Sequence, residues 1–89
     1  MENLTSRTIQ LIDKFFNEID RDVVKSLLIE ECGKYSERIH FAIIKLSNGN
    51  TDTLLSTIQN AKIDYRDILM WSGFGENVNE HNIWANNIL

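Results

Sequence analysis

Residues 38–46, which read RIHFAIIKL, constrain the fold more than any other stretch of the chain. At about 100° per residue, an α-helix places their apolar side chains on two nearly opposite faces. A helix that is apolar on two sides is normally an interior helix with neighbours on both. We expect the first two helices to cover one face and the fourth to cover the other. One face carries Ile39, Ala42, Ile43 and Leu46, the other Phe41 and Ile44, and the polar seams carry Arg38 with Lys45 and His40 with Ser47.

The composition is that of a single globular domain spanning residues 1–89, with 43% hydrophobic and 25% charged residues. The net charge of −4 and the scattered Lys and Arg weigh against nucleic-acid binding. No apolar run approaches the length of a membrane span, and the first ten residues are polar, so neither a span nor a signal peptide is predicted. The single Cys32 cannot form an internal disulfide. These features predict a cytoplasmic protein.

The chain contains no proline, and its helical periodicity predicts an all-α fold, either a compact five-helix bundle or an orthogonal array around the third helix. Asp20 is the predicted N-cap of the second helix, with Ile19 and Val24 forming a hydrophobic staple. The predicted helices cover about 5–17, 21–32, 35–47, 52–72 and 78–87.

The fourth helix allows two interpretations. Apolar residues at spacings of four and three continue from Leu54 to Ile68, which favours one unbroken helix. The alternative is a break near Ile63, with Asp64 capping a new helix. The continuous phase of the apolar residues favours the single helix.

Polar side chains form one candidate site, comprising Arg38, His40, Asp64, Arg66 and Asp67. Asp64 and Asp67 are three residues apart, so a continuous helix would place them on one side, where paired carboxylates can bind a cation or transfer protons. We favour the simpler interpretation, in which these carboxylates pair with Arg38 or Lys45. His40 is expected in an accessible polar seam, and His81 is expected to pack on an apolar face as a hydrogen-bonded residue. No metal site, cofactor or small-molecule ligand is predicted.

The end of the fourth helix is apolar nearly all round, and it supplies the second candidate site. This end of the helix carries Met70 and Trp71, with Phe74 three residues further on, and the last helix carries Trp84. Either the last helix folds back and covers these side chains, or some of them are exposed. Exposed aromatic and methionine side chains are typical of a surface that binds a protein partner or a second copy.

Residues 38–74 carry the pattern RxxFAxxKLxxG followed by AKxDYRDxLxxxGF. In this pattern the chain resembles a family of small bacterial all-helical proteins with no known activity. The resemblance implies a bacterial helical domain and brings no catalytic residue. It is carried by Arg38, Phe41, Ala42, Lys45, Leu46, Gly49, Ala61, Lys62, Asp64, Tyr65, Arg66, Asp67, Leu69, Gly73 and Phe74.

Three functions fit these residues. A non-enzymatic protein–protein interaction or accessory module, acting through the apolar surface, agrees best with the small size and the lack of a catalytic constellation. An acidic immunity or inhibitor protein that masks a basic partner is the alternative. A metal-dependent enzyme using Asp64 and Asp67 is the third, and it requires those side chains to meet in one pocket.

Overall fold

The computed structural model describes residues 4–75 and 77–89, and within those ranges the secondary structure is entirely helical. The all-α prediction is confirmed, whereas the count of five helices is wrong because the predicted fourth helix is two. Each helix among the described residues is too short or too polar to cross a lipid bilayer. The helices are α1 Ser6–Phe15, α2 Glu18–Cys32, α3 Glu37–Ser47, α4 Thr51–Ile63, α5 Tyr65–Ser72 and α6 Glu80–Ile88.

Asp64 is the residue that separates α4 from α5. Its backbone is extended, with φ −156° and ψ 102°. Its N–H closes α4 by donating to the Asn60 carbonyl, and its carboxylate caps α5 by accepting from the Arg66 N–H. An aspartate at this position satisfies a helix N–H that would otherwise lack a partner. The unbroken-helix prediction is therefore wrong and the alternative is correct.

Helix α3 buries side chains on both of its apolar faces, as the periodicity predicts. Ile39 and Ile43 on one face and Phe41 and Ile44 on the other are all buried. The helix packs against α1, α4, α5 and α6. Helix α2 packs mainly on α1 and α4, and it covers α3 only at its end, where the Cys32 carbonyl accepts a hydrogen bond from His40.

Helix α2 begins earlier than predicted, with Asn17 rather than Asp20 at its N-cap. The Arg21 side chain donates to the carbonyls of Asp13 and Phe16, and these bonds tie the start of α2 to the end of α1. The predicted hydrophobic staple is wrong, because the Ile19 side chain is 89% exposed.

A three-residue turn joins α3 to α4 and packs on the end of α1. Asn48 ends α3 in the left-handed conformation, and Asn50 caps α4 by accepting from the Thr53 N–H. Gly49 lies between them with φ +81°. A Cβ atom at Gly49 would lie 2.5 Å from the Phe15 carbonyl oxygen, so the close contact between the turn and α1 leaves no room for a side chain at this position.

Helix α6 returns over α1 and α3 and covers an aromatic cluster. The Trp84 ring lies 5.7 Å from those of Phe15 and Phe74 and 6.1 Å from Phe41, measured between centroids. His81 contacts Phe41 and Phe74 from the same helix. His81 therefore packs as predicted, but the predicted hydrogen bond is not seen at its Nδ1, which is buried without a partner among the described residues. Helix α6 closes this end of the core.

Candidate functional site

The outward face of α5 exposes two large apolar side chains. Met70 is 70% exposed and Trp71 is 59% exposed, whereas Ile68 and Leu69 on the other side of the helix are buried. Helical spacing places Met70 and Trp71 one turn beyond Arg66 and Asp67, which are also exposed. We call Met70 and Trp71 the α5 apolar pair.

Two of the four predicted apolar contact residues lie elsewhere. Phe74 is only 2% exposed, and Trp84 is partly buried against it in the aromatic cluster. Their inclusion in an exposed surface is wrong, because α6 folds back over Phe74. The same return path leaves Met70 and Trp71 uncovered.

A groove of about 420 Å³ runs beside Met70, and we call it the α5 groove. Its apolar lining comes from α5. The groove lies between α5, the start of α3 and the segment after Gly73, so the guanidinium groups of Arg38 and Arg66 both border it. Tyr65 is not among the predicted site residues, because its spacing continues the apolar stripe of the predicted fourth helix, yet it is 45% exposed. The lining residues are Arg38, Tyr65, Arg66, Leu69, Met70 and Gly75.

Arg38 makes few contacts for a half-buried cation. Its Nη2 donates to the Gly75 carbonyl, while its Nε is buried and lacks a hydrogen-bond partner. Within residues 4–75 and 77–89 no carboxylate lies in ion-pair distance of it. The neighbouring Glu37 is engaged elsewhere, since its carboxylate accepts from Arg7 and Thr5 at 2.5 Å each. The charge of Arg38, which lines the groove, is therefore not neutralised by any carboxylate among the described residues.

Arg66 pairs with the capping aspartate. Its Nε and Nη2 each donate to the Asp64 carboxylate at 3.0 Å. These hydrogen bonds, together with the one from the Arg66 N–H, lower the pKa of Asp64. The predicted pairing of Asp64 or Asp67 with Arg38 or Lys45 is wrong. The break at Asp64 removes it from the helix face that a continuous helix would give it.

Lys45 bonds instead to the end of α5. Its Nζ donates to the Ser72 carbonyl at 2.6 Å and lies 5.0 Å from the centre of the Phe74 ring. A lysine in this position complements the negative end of the α5 dipole. This contact fixes the orientation of α5 on α3, and with it the position of the α5 apolar pair.

His40 is part of the core rather than of a polar site. It is 1% exposed, its Nε2 donates to the Cys32 carbonyl at 2.6 Å, and its Nδ1 has no partner in the described structure. Burial lowers the pKa of His40, so the ring is neutral near pH 7. The expectation of an accessible His40 is wrong, because the end of α2 lies over it.

Cys32 offers no reactive thiolate. It is 1% exposed, and burial raises the pKa of its thiol to about 11. A thiol in such surroundings is a poor nucleophile. In the part of the chain that the structure describes, no group of three or more His, Cys, Asp and Glu side chains is arranged to hold a metal ion.

Two further depressions, of about 480 Å³ and 490 Å³, continue the α5 groove toward α2. The nearer depression shares Tyr65 and Arg66 with the α5 groove. The farther depression shares Tyr35 and Lys62 with the nearer one. The rings of Tyr35 and Tyr65 lie 6.0 Å apart. The concave surface beside α5 is therefore longer than the groove alone and carries two tyrosines.

Comparison of the chain with protein families, curated proteins and solved structures finds no match. The family resemblance of residues 38–74 therefore stays a prediction, and the function has to be argued from the surface itself.

Proposed function

We propose that this protein is a non-enzymatic cytoplasmic interaction module that binds a protein partner, or a second copy of itself, through α5. The α5 apolar pair carries the proposal. Met70 and Trp71 are exposed next to a groove with further apolar lining, and methionine, tryptophan and arginine are enriched at protein interfaces.

The nature of these side chains supports a binding role over a structural one. A tryptophan supplies a large contact area, and binding hot spots are enriched in this residue. A methionine adapts its shape to different partners. Both stand on a helix whose inner face is fixed by buried Ile68 and Leu69, so the surface is presented on a rigid element.

The acidic-inhibitor alternative receives less support from the charges. Exposed acidic residues lie on α1, α2, α4 and α5 rather than on one face. Two of them, Asp13 and Glu31, are paired with lysine or arginine. The surface is thus mixed in charge rather than dominated by one acidic patch.

Site-directed photo-crosslinking tests the proposal. Purified protein with benzoylphenylalanine in place of Trp71 is irradiated in a lysate of the source organism, and the adducts are identified by mass spectrometry. We expect one dominant adduct, either with a second copy or with a single other protein, and we expect Met70→Ser to diminish it.

Ile19 provides the control, because it is an apolar residue on a different helix and is even more exposed than Trp71, at 89% against 59%. The probe at position 19 should give no dominant adduct. If positions 71 and 19 yield the same background of adducts, or if Met70→Ser leaves the adduct at position 71 unchanged, α5 is not the binding surface.

A further inference from the structure

We propose that the α5 groove binds a segment of a partner polypeptide that carries a carboxylate beside an apolar side chain. This inference rests on the proposed function and deepens it by naming the chemistry of the partner. Two observations carry it, namely the guanidinium of Arg38, which forms no ion pair with any described residue, and the apolar lining of the groove.

The first observation concerns Arg38. A charged group withdrawn from water is unfavourable unless an opposite charge or hydrogen-bond acceptors compensate it. The Gly75 carbonyl takes one donor of Arg38, and Nε has no partner. Among the described residues that line the groove, none is acidic. A carboxylate from outside would supply the missing anion, and guanidinium binds carboxylate through paired hydrogen bonds.

The second guanidinium strengthens this charge complementarity. The Arg66 side chain is 77% exposed, and it uses Nε and Nη2 to hold Asp64. Arg66 lines the same groove as Arg38. Two cations therefore border a concavity of about 420 Å³, which is ample for a carboxylate side chain and a neighbouring residue.

The apolar lining selects what accompanies the carboxylate. Leu69 forms a buried part of the groove, and the half-exposed Tyr65 ring and the Met70 thioether border it. An aliphatic or aromatic side chain next to the carboxylate would remove these surfaces from water. A small inorganic anion would leave them exposed.

The charge of the whole chain argues for an isolated carboxylate rather than a polyanion. With a net charge of −4, the protein repels DNA, RNA and anionic membranes at a distance. The positive charge of Arg38, which no described carboxylate neutralises, acts over only a few ångströms. A single acidic side chain on a polypeptide meets that local charge without the wider repulsion.

Chemical-shift titration of the ¹⁵N-labelled full chain tests the inference with defined probes. The probe is a pentapeptide of alternating leucine and glutamate, blocked at both ends, and its comparison is the glutamine analogue. We expect the glutamate peptide to shift the amides of Leu69, Met70 and Gly75. We expect the glutamine analogue to bind about tenfold more weakly, because the charge-assisted hydrogen bonds are lost.

Variants with matched controls locate the charge. Arg66→Gln should weaken binding of the glutamate peptide about fivefold, whereas Lys14→Gln, which makes the same charge change at an exposed position of α1, should change it less than about twofold. Arg38→Lys keeps a positive charge but loses the fork, and it should also weaken binding. Thermal melting checks that each variant is folded.

Several outcomes would overturn the inference. Equal binding of the two peptides would mean that the groove recognises only apolar groups, and would leave the proposed function intact. If Lys14→Gln weakened peptide binding as much as Arg66→Gln, the binding would depend on the net charge of the protein and not on the groove. Inorganic phosphate shifting the same amides as strongly as the peptide would indicate an anion site.

Discussion

Replacing Gly49 by alanine should destabilise the fold through two separable effects. The first is conformational, because φ is +81° at this residue and a Cβ atom makes that region unfavourable by about 1–2 kcal/mol. The second is steric, because the new Cβ would lie 2.5 Å from the Phe15 carbonyl oxygen. That oxygen belongs to the backbone at the end of α1 and cannot rotate away, so the turn and α1 must separate.

The steric effect resembles overpacking of a core, which destabilises by about 1–3 kcal/mol. Together the two effects predict a loss of about 2–5 kcal/mol in the free energy of unfolding. Gly73→Ala is the matched control. Its φ is +86°, but its nearest neighbour is the Lys45 Nζ at an ordinary 3.7 Å, so it should lose only the conformational part.

Urea denaturation followed by tryptophan fluorescence measures both variants, since Trp84 lies within the aromatic cluster. We expect Gly49→Ala to be less stable than Gly73→Ala by about 1–3 kcal/mol, with similar m-values. If the two variants lose equal stability, the contact between the turn and α1 is not as close as described, and the steric part of the reasoning is refuted.

Three further predictions concern single side chains. Burial lowers the pKa of His40 in the folded chain. Below about pH 6.5 the unfolded chain therefore binds more protons than the folded chain. The stability contributed by neutral His40 is lost as the pH falls from about 6.5 toward the pKa of His40 in the folded chain. His40→Gln keeps a donor for the Cys32 carbonyl and cannot titrate. Between about pH 5 and about pH 7, the free energy of unfolding of this variant should therefore change less with pH than that of the wild type. An equal pH dependence in the two proteins would contradict this. Phe74→Ala should lower the free energy of unfolding by about 3–5 kcal/mol and Trp71→Ala by less than about 0.5 kcal/mol. Comparable losses would contradict the burial of Phe74 under α6 and the exposure of Trp71. Cys32 should react with a thiol reagent at pH 8 only after denaturant is added, and rapid labelling of the native chain would place the thiol nearer the surface than the structure does.

The two-sided burial of α3 could be predicted because it depends on local periodicity alone. Phe41 and Ile43 fall on different faces of any helix built from this sequence, and each apolar face requires a neighbour. The turn at Asn48 and Gly49 was predictable for a similar reason, since those residue types favour left-handed backbone.

The break at Asp64 could not be decided from the same periodicity. Apolar residues on both sides of it keep the spacing of one helix, and Asp64 and Ile68 fit either arrangement. What decides it is the cap at Asp64 together with the packing of α5 on α3 and α4, which is a tertiary effect.

The candidate site was only half predictable for a related reason. Trp71 and Phe74 are near neighbours in the sequence with similar hydrophobicity, yet one is exposed and the other lies in the core. The difference arises from the path of α6, which covers Phe74 and contacts α3 and α1. Arg38 and Arg66 likewise meet at one groove through tertiary packing, although they are far apart in the sequence.

The single-residue joint at Asp64 also limits how the chain can change in length. Inserting one residue after Asp64 would rotate α5 by about 100° and bring Asp67 into the buried place of Ile68. An insertion in 73–79, between α5 and α6, would leave the phase of both helices unchanged. Relatives of this chain should therefore vary in length in the segment between α5 and α6, and keep the joint between α4 and α5 at one residue.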